Sequence, residues 1–232
     1  MESRINVLLD LDNTIINALE DEERKNLPTY FQDKFKHEDM LPFFRVFARP
    51  HLEEFLDYLF ANFNVGVFTA AEHMYAKFII DKFILTKPNR KLDVVLFRYH
   101  FDLSHKLYNK TKGLELLWDF THLYNYYPCN TVIIDDLSDV LNDNPYNTIP
   151  VESFDMIITE NADLTNRPSP SSVESKTITN AKPNWDAIND TTLLRVMKQL
   201  SELKSQYDLS DCVSKIYNSK PKYEAILEMF QI

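Results

Sequence analysis

Cysteine and long apolar runs are scarce in this sequence, and each scarcity excludes a class of protein. The two cysteines, Cys129 and Cys212, form no close-spaced pair, so the sequence predicts neither a zinc site nor a disulfide framework and favours a reducing compartment. No window approaches the length of a membrane span. The N-terminus carries no signal peptide, because its short apolar run at residues 5–9 is followed directly by Asp10. The sequence therefore predicts a soluble, intracellular protein without a membrane partner.

Basic residues are also outnumbered, since 25 Lys and Arg stand against 35 Asp and Glu and give a formal net charge of −10. Affinity for nucleic acid comes mainly from Lys and Arg contacts to phosphates, so we expect no direct nucleic-acid binding. An acidic surface suits a basic protein partner or a bound cation. It also keeps a protein soluble, and this simpler interpretation stays open.

The apolar content of the sequence is 44%, with 16 Phe and 12 Tyr, which is enough to bury a core. Apolar runs predict strands at residues 5–9, 65–68, 93–97 and 131–134. Helical spacing of apolar residues predicts helices at residues 51–63, 72–83, 112–120, 191–203 and, weakly, 222–230. Strands that alternate with helices indicate an α/β fold, a Rossmann-like parallel sheet with helices on both faces.

The predicted core covers residues 1–160. Within it, residues 17–48 mix charged and aromatic side chains without clear periodicity, so this stretch forms either no cap over the sheet or a small one. Residues 161–187 are rich in Ser, Thr, Asn and Pro and predict a polar, flexible loop. Residues 188–232 predict a helical segment that packs on the core.

Polar side chains follow three of the predicted strands. Asp10, Thr69 and Asp135 each lie just past the carboxyl end of a strand. In an open parallel sheet, ligands bind at the carboxyl ends of the strands. The sequence therefore predicts a site at this edge of the sheet.

Asp10 and Asp12 stand two residues apart directly after the first predicted strand. One carboxylate can attack phosphorus, and the other can give a proton to the leaving oxygen and later accept one from water. Two acids this close repel each other, so we expect a cation between them, and Mg²⁺ suits such oxygen ligands. The simpler alternative for an isolated Asp-x-Asp is a solvated turn after a strand.

Five segments of the chain, in order, carry a resemblance to a known family. Residues 7–15 (VLLDLDNTI) resemble the first motif of haloacid-dehalogenase (HAD) phosphatases, and more narrowly of the branch that dephosphorylates the C-terminal domain of RNA polymerase II. Later motifs of that branch resemble residues 49–56 (RPHLEEFL), 67–71 (VFTAA), 107–110 (LYNK) and 131–136 (TVIIDD). The resemblance implies the HAD fold and a Mg²⁺-dependent phosphatase.

The resemblance also implies a role for each matching residue. The nucleophile would be Asp10, and the proton donor and acceptor would be Asp12. Substrate phosphate would be held by Thr69, Ala70, Lys110 and Arg49. Mg²⁺ would be held by Asp10, Asp12, Asp135 and Asp136. Two alternatives stay open, because Lys106 or Lys112 could replace Lys110, and Arg49 could form a structural ion pair at a helix start.

The branch resemblance implies a phosphoserine or phosphothreonine protein phosphatase. The alternatives are a small-molecule phosphatase of the same superfamily and a non-catalytic interaction module that retains the fold. The many Asn, Lys, Ile and Tyr residues beside only two glycines indicate an AT-rich coding genome. Within the same superfamily, the chain resembles phosphatase-like proteins of large insect DNA viruses, the baculoviruses and nudiviruses, which are required for nucleocapsid assembly. That similarity implies a basic DNA-packaging protein as substrate and the nucleus, rather than the cytoplasm, as location.

Overall fold

The computed structural model describes residues 4–25, 27–120, 126–158 and 182–207. The strands in these ranges are β1 (Asn6–Leu9), β2 (Ile16–Glu20), β3 (His37–Met40), β4 (Phe44–Ala48), β5 (Asn64–Phe68), β6 (Val95–Leu96), β7 (Thr131–Asp135), β8 (Thr148–Pro150), β9 (Ile157–Ile158) and β10 (Lys182–Pro183). The α-helices are α1 (Asp21–Arg24), α2 (Thr29–Gln32), α3 (Leu52–Asn62), α4 (His73–Ile79), α5 (Arg98–Tyr108), α6 (Ser138–Asp143) and α7 (Thr192–Gln206). Single π-helical turns occur at Ile80–Ile84 and Leu116–Phe120, and a 3-10 helix at Trp185–Asn189.

The central sheet has five strands in the order β6-β5-β1-β7-β8, and its neighbouring strands run parallel. β1 lies in the middle, where Leu9 is in register with Val67 of β5 and Ile134 of β7. β5 passes so close to its surroundings that a Cβ at Gly66 would lie 2.6 Å from Val94 Cγ1. One of the two glycines is therefore required by packing. The parallel α/β sheet predicted from the sequence is confirmed.

Helices cover both faces of this sheet, as predicted. Val7 and Leu9 of β1 belong to one buried cluster, which includes apolar residues of α3, α4 and α7. Leu8, on the opposite face of the same strand, belongs to a second cluster with Leu114 and with Val140 of α6. Because successive strand residues point to opposite faces, a strand buried on both sides reads as a continuous apolar run.

Residues 17–48, which show no periodicity in sequence, form most of a small second sheet. Its strands are antiparallel in the order β2-β4-β3, and the short helices α1 and α2 lie between β2 and β3. A separate aromatic-rich cluster supports this unit, with Phe31, Phe35 and Phe47 packed near Phe154. The chain therefore carries a small sheet between the Asp10 loop and α3, not a large cap domain.

The C-terminal part of the described chain returns to the core. α7 contacts α3, and its residues Leu193, Val196 and Leu200 are buried in the same cluster as β1. The loop predicted at residues 161–187 is wrong at residues 182–187. Strand β10 lies there and pairs with β9, and the 3-10 helix then begins at Trp185. The rest of that loop and the predicted helix at 222–230 lie outside the described residues.

The stretch between β6 and β7 differs most from the sequence prediction. Helix α5 has no predicted counterpart, because among its eleven residues only Ser104 is buried and an apolar stripe is weak. It ends at Asn109, which adopts the left-handed conformation with φ of 54°. The helix predicted at 112–120 is wrong at its start: Lys112 precedes the helical turn at Leu116–Phe120.

Cys129 lies within the described residues and Cys212 lies outside them, so the expectation of no disulfide framework stays a prediction. Within the described ranges, no helix is both long and apolar enough to cross a membrane.

Candidate active site

The carboxyl ends of β1, β5 and β7 lie side by side and carry the three polar residues predicted to meet there. The Asp10 amide donates a hydrogen bond to the Ile134 carbonyl over 3.0 Å, which fixes the end of β1 against β7. The Thr69 amide donates to the Leu96 carbonyl over 2.9 Å and so fixes the end of β5 against β6. All three side chains are buried, with Asp10 at 5% exposure, Thr69 at 1% and Asp135 at 0%.

A tight loop after β1 presents the two motif aspartates. Asn13 has φ of 59°, a left-handed conformation that Asn tolerates better than most residues, and its amide donates to the Ile16 carbonyl over 2.7 Å. The turn brings the Thr14 hydroxyl back toward the strand end. That hydroxyl lies 3.3 Å from Asp10 Oδ2 and 3.1 Å from Asp136 Oδ1, so it joins the two carboxylates.

The lysine at the centre of this site is Lys112, not Lys110. Its ammonium lies 2.5 Å from Asp10 Oδ1 and 2.7 Å from Asp135 Oδ2, and the residue is 1% exposed. Burial alone would lower the pKa of Lys112, but the charges of Asp10 and Asp135 outweigh it and raise the pKa above its ordinary value. Lys110 instead pairs with Glu115. The structure therefore brings Lys112, and not Lys110, to Asp10 and Asp135, while the phosphate-binding role of the lysine stays a prediction.

Three carboxylates at the strand ends are close enough to share a cation. One oxygen from each of Asp10, Asp135 and Asp136 lies within 4.8 Å of the others. Burial, with repulsion from Asp10, raises the pKa of Asp135 and of Asp136 to about 7, although Lys112 opposes the shift. A set made only of carboxylate oxygens fits a hard divalent cation, which would relieve that repulsion.

Asp12 belongs to the site in a different way from the other carboxylates. Its Oδ1 accepts a hydrogen bond of 2.6 Å from the Tyr75 hydroxyl, and its side chain is not in the cation group just described. The role of Asp12 as a ligand of Mg²⁺ therefore stays a prediction, separate from the three grouped carboxylates. Burial, together with repulsion from the nearby Asp10, raises the pKa of Asp12 to about 7. The hydrogen bond from Tyr75 opposes this shift but does not cancel it.

Thr69 and Ala70 lie at the end of β5, beside the Asp10 loop. Thr69 Oγ1 accepts a hydrogen bond of 3.1 Å from the Ala71 amide. The hydroxyl hydrogen of Thr69 therefore points away from that amide and can be donated to a ligand. The loop from Thr69 to Ala71 thus offers a donor at the edge of the sheet where Asp10 lies.

Arg49 does not reach the substrate side of the site. Its side chain is fully buried and donates to both carboxylate oxygens of Asp190, with a shortest distance of 2.8 Å. It also donates to the carbonyls of Thr14 and Glu152 over 2.9 and 2.8 Å. The structure therefore places Arg49 in a buried ion pair with Asp190, and its predicted contact with substrate phosphate stays a prediction.

The model of the NLI interacting factor-like phosphatase family matches residues 5–170, which is more than half of the chain. The chain belongs to this family. Relatives of this NLI interacting factor-like phosphatase include the CTD phosphatase-like protein 355R of Invertebrate iridescent virus 6, which is 43% identical over 156 residues that cover 64% of this chain and 85% of that protein. Its counterpart in Invertebrate iridescent virus 3 is 38% identical over 156 residues, 64% of this chain and 83% of that protein.

A solved structure supports the fold of this family member. Fcp1, described as an essential RNA polymerase II CTD phosphatase, superposes with a TM-score of 0.61 at 21% identity. The superposition covers 94% of this chain and 68% of that one. At this identity the likeness shows a shared fold, and it confirms the predicted HAD-like α/β architecture.

Two residues that shape the site of this phosphatase family member were missed or misassigned from sequence. Tyr75 reads as one of the apolar residues on the stripe of α4, and only its hydroxyl could have signalled a polar role. Lys112 is one of three nearby lysines, and nothing in its spacing separates it from the others. The following Leu114, Leu116 and Leu117, which are buried, are the signal that could have indicated that the chain turns inward there.

Proposed function

We propose that this protein is a Mg²⁺-dependent phosphatase that carries the phosphoryl group on Asp10 during the reaction. The contact of Asp10 with Lys112, at 2.5 Å in a buried site, is the observation that carries the proposal. A lysine in this place offsets the charge of the nucleophile and faces the charge that develops on the phosphoryl oxygens. Membership of a phosphatase family supports the same reaction class.

The residues of the site suit a two-step displacement. An Asp10 oxygen attacks phosphorus while the bond from phosphorus to the leaving oxygen breaks, and Asp12 gives its proton to that oxygen. Water then attacks the aspartyl phosphate, Asp12 takes a proton from the water, and inorganic phosphate leaves. Lys112 and the Thr69 hydroxyl, with the Ala70 amide, would hold the phosphoryl oxygens throughout.

Mg²⁺ would be held by Asp10, Asp135 and Asp136, whose oxygens lie within 4.8 Å of one another. When bound, it supplies positive charge that offsets the carboxylates and the phosphoryl group. Thr14 keeps two of these carboxylates in place through its hydroxyl.

The proposed substrate is a protein that carries phosphoserine or phosphothreonine. The small sheet at β2, β3 and β4 supports a site that admits a polypeptide, because a large cap would favour small molecules. The names of the relatives, which refer to CTD phosphatase-like proteins, point the same way. With a net charge of −10, a basic phosphoprotein is the favoured partner, and a viral DNA-packaging protein in the nucleus is the specific candidate.

The decisive experiment is hydrolysis of an aryl phosphate by purified protein, with and without Mg²⁺, beside Asp10→Asn. We expect turnover that requires Mg²⁺ and falls by more than about 10³-fold in the variant, because the nucleophile is lost. Circular dichroism of both proteins controls for folding. Mg²⁺-dependent activity that survives in Asp10→Asn would refute Asp10 as the nucleophile. A folded wild type without turnover on aryl phosphate or phosphopeptide would instead favour a non-catalytic module.

A further inference from the structure

Tyr75 holds the carboxylate of Asp12 from the first turn of α4. Its hydroxyl donates to Asp12 Oδ1 over 2.6 Å, and the residue is only 6% exposed. The ring meets Phe44 of β4 edge-on, with centroids 5.7 Å apart. The ring of Tyr75 is therefore packed between the small antiparallel sheet and α4, and this packing fixes the position of the hydroxyl oxygen.

The hydrogen bond makes the two oxygens of Asp12 inequivalent. Within the described residues, no other hydrogen bond to this carboxylate is formed. Because Oδ1 already accepts from Tyr75, a proton on the carboxyl group resides on Oδ2. Rotation of the carboxyl group by half a turn would exchange the two oxygens, and the bond from Tyr75 opposes that rotation.

We propose that Tyr75 is a positioning residue that keeps Asp12 Oδ2 directed at the leaving oxygen of the substrate. This inference rests on the proposed function, in which Asp12 transfers a proton to that oxygen as the bond to phosphorus breaks. A proton donor acts efficiently only when it is held within hydrogen-bond reach of the atom it protonates. A carboxyl group that rotates spends less time in that geometry.

The test is the dependence of kcat/KM on the leaving group in Tyr75→Phe. The variant keeps the ring and its packing on Phe44 and removes only the hydroxyl. A phosphoserine peptide releases a poor leaving group that needs the proton, whereas 2,4-dinitrophenyl phosphate releases a good one that departs without it. We expect kcat/KM to fall by about 10- to 100-fold on the peptide and by less than about threefold on the aryl ester. Loss of positioning removes part of the roughly 10²- to 10⁴-fold that a general acid contributes.

Tyr126→Phe is a matched control, because Tyr126 is also a buried tyrosine but its hydroxyl has no hydrogen-bond partner among the residues that the structure describes. We expect it to leave the kcat/KM ratio between the two substrates unchanged. The double variant Asp12→Asn with Tyr75→Phe should be no less active on the peptide than Asp12→Asn alone, because both changes remove the same interaction.

Equal losses on both substrates in Tyr75→Phe, or no loss on either, would overturn the positioning role. Asp12→Asn separates this failure from failure of the proposed function. If Asp12→Asn selectively lowers kcat/KM on the peptide and Tyr75→Phe does not, only the inference about Tyr75 fails. If Asp12→Asn leaves peptide hydrolysis unchanged, the proposed acid is wrong and the inference falls with it.

Discussion

At the residue scale, the buried ammonium of Lys112 determines how the charges of the site are arranged. It sits between Asp10 and Asp135, each of which would otherwise face the other across a buried gap. The ammonium supplies positive charge where the two buried carboxylates would otherwise repel each other. In the proposed reaction it also faces the phosphoryl oxygens, so the lysine is coupled directly to that reaction.

We predict that Lys112→Met lowers kcat on aryl phosphate by about 10²- to 10³-fold, because a preorganised charge facing the reacting group is lost. Lys110→Met is the matched control. Lys110 pairs with Glu115 and is partly exposed, so we expect its variant to keep more than about half of the activity. Steady-state kinetics at saturating Mg²⁺ measure both, and an inactive Lys110→Met beside an active Lys112→Met would reverse the assignment.

At the scale of elements, Arg49 connects three segments of the chain that are far apart in sequence. It lies between β4 and α3, pairs with Asp190 before α7, and donates to the carbonyl of Thr14 in the Asp10 loop. Asp190 lies beyond the segment that the family model matches, which ends at residue 170. The C-terminal segment therefore supplies the counter-ion for a buried arginine of the core.

The Arg49–Asp190 pair makes stability depend on pH. Partial burial acts to raise the pKa of Asp190, but the hydrogen bonds and charge of Arg49 outweigh it and lower the pKa below its ordinary value. A carboxyl group whose pKa is lower in the folded than in the unfolded chain stabilises the fold above the unfolded pKa of about 4. That contribution is lost as the pH falls through the folded pKa.

We predict that Asp190→Asn lowers the free energy of unfolding by about 2 kcal/mol at pH 7 and by progressively less below about pH 4. Urea unfolding at pH 7 and at pH 3 measures the difference. Glu152→Gln serves as control, since this exposed side chain pairs with Arg195 at the surface and should change stability by less than about 0.5 kcal/mol. A deficit in Asp190→Asn that is equally large at both pH values would contradict the ion-pair explanation.

At the scale of the whole molecule, the dominant property is the net charge of −10. A field of one sign raises the local concentration of oppositely charged partners and is screened over about 10 Å at 0.1 M salt. It acts before the substrate reaches the buried site. Charge should therefore affect substrate capture more than the chemical step.

We predict that KM for a phosphoserine peptide flanked by Lys and Arg rises severalfold between about 50 and 300 mM salt, with kcat nearly constant. A peptide of the same length flanked by Asp and Glu should show a higher KM at low salt and the opposite salt trend. Kinetics on this pair of peptides test the proposal of a basic substrate. Equal KM values at low salt would count against it.

The sequence could predict those features that depend on short stretches of chain. The apolar run before Asp10 identifies β1, and the alternation of strands with helices identifies the parallel sheet. The rule that ligands bind at the carboxyl ends of parallel strands then places Asp10, Thr69 and Asp135 at one edge. Helix α5 could not be predicted from the spacing of apolar residues, because its packing face is short and mostly polar.

By itself, then, the sequence determined the fold class, the phosphatase family and the aspartates at the strand ends, because local periodicity and ordered motifs encode them. Only the tertiary structure decided which lysine meets Asp10, since Lys112 is 102 residues away along the chain and lies close in sequence to Lys106 and Lys110. It also decided that Arg49 pairs with Asp190 and that Tyr75 holds Asp12. These contacts depend on side-chain direction in the packed molecule, which residue spacing does not specify.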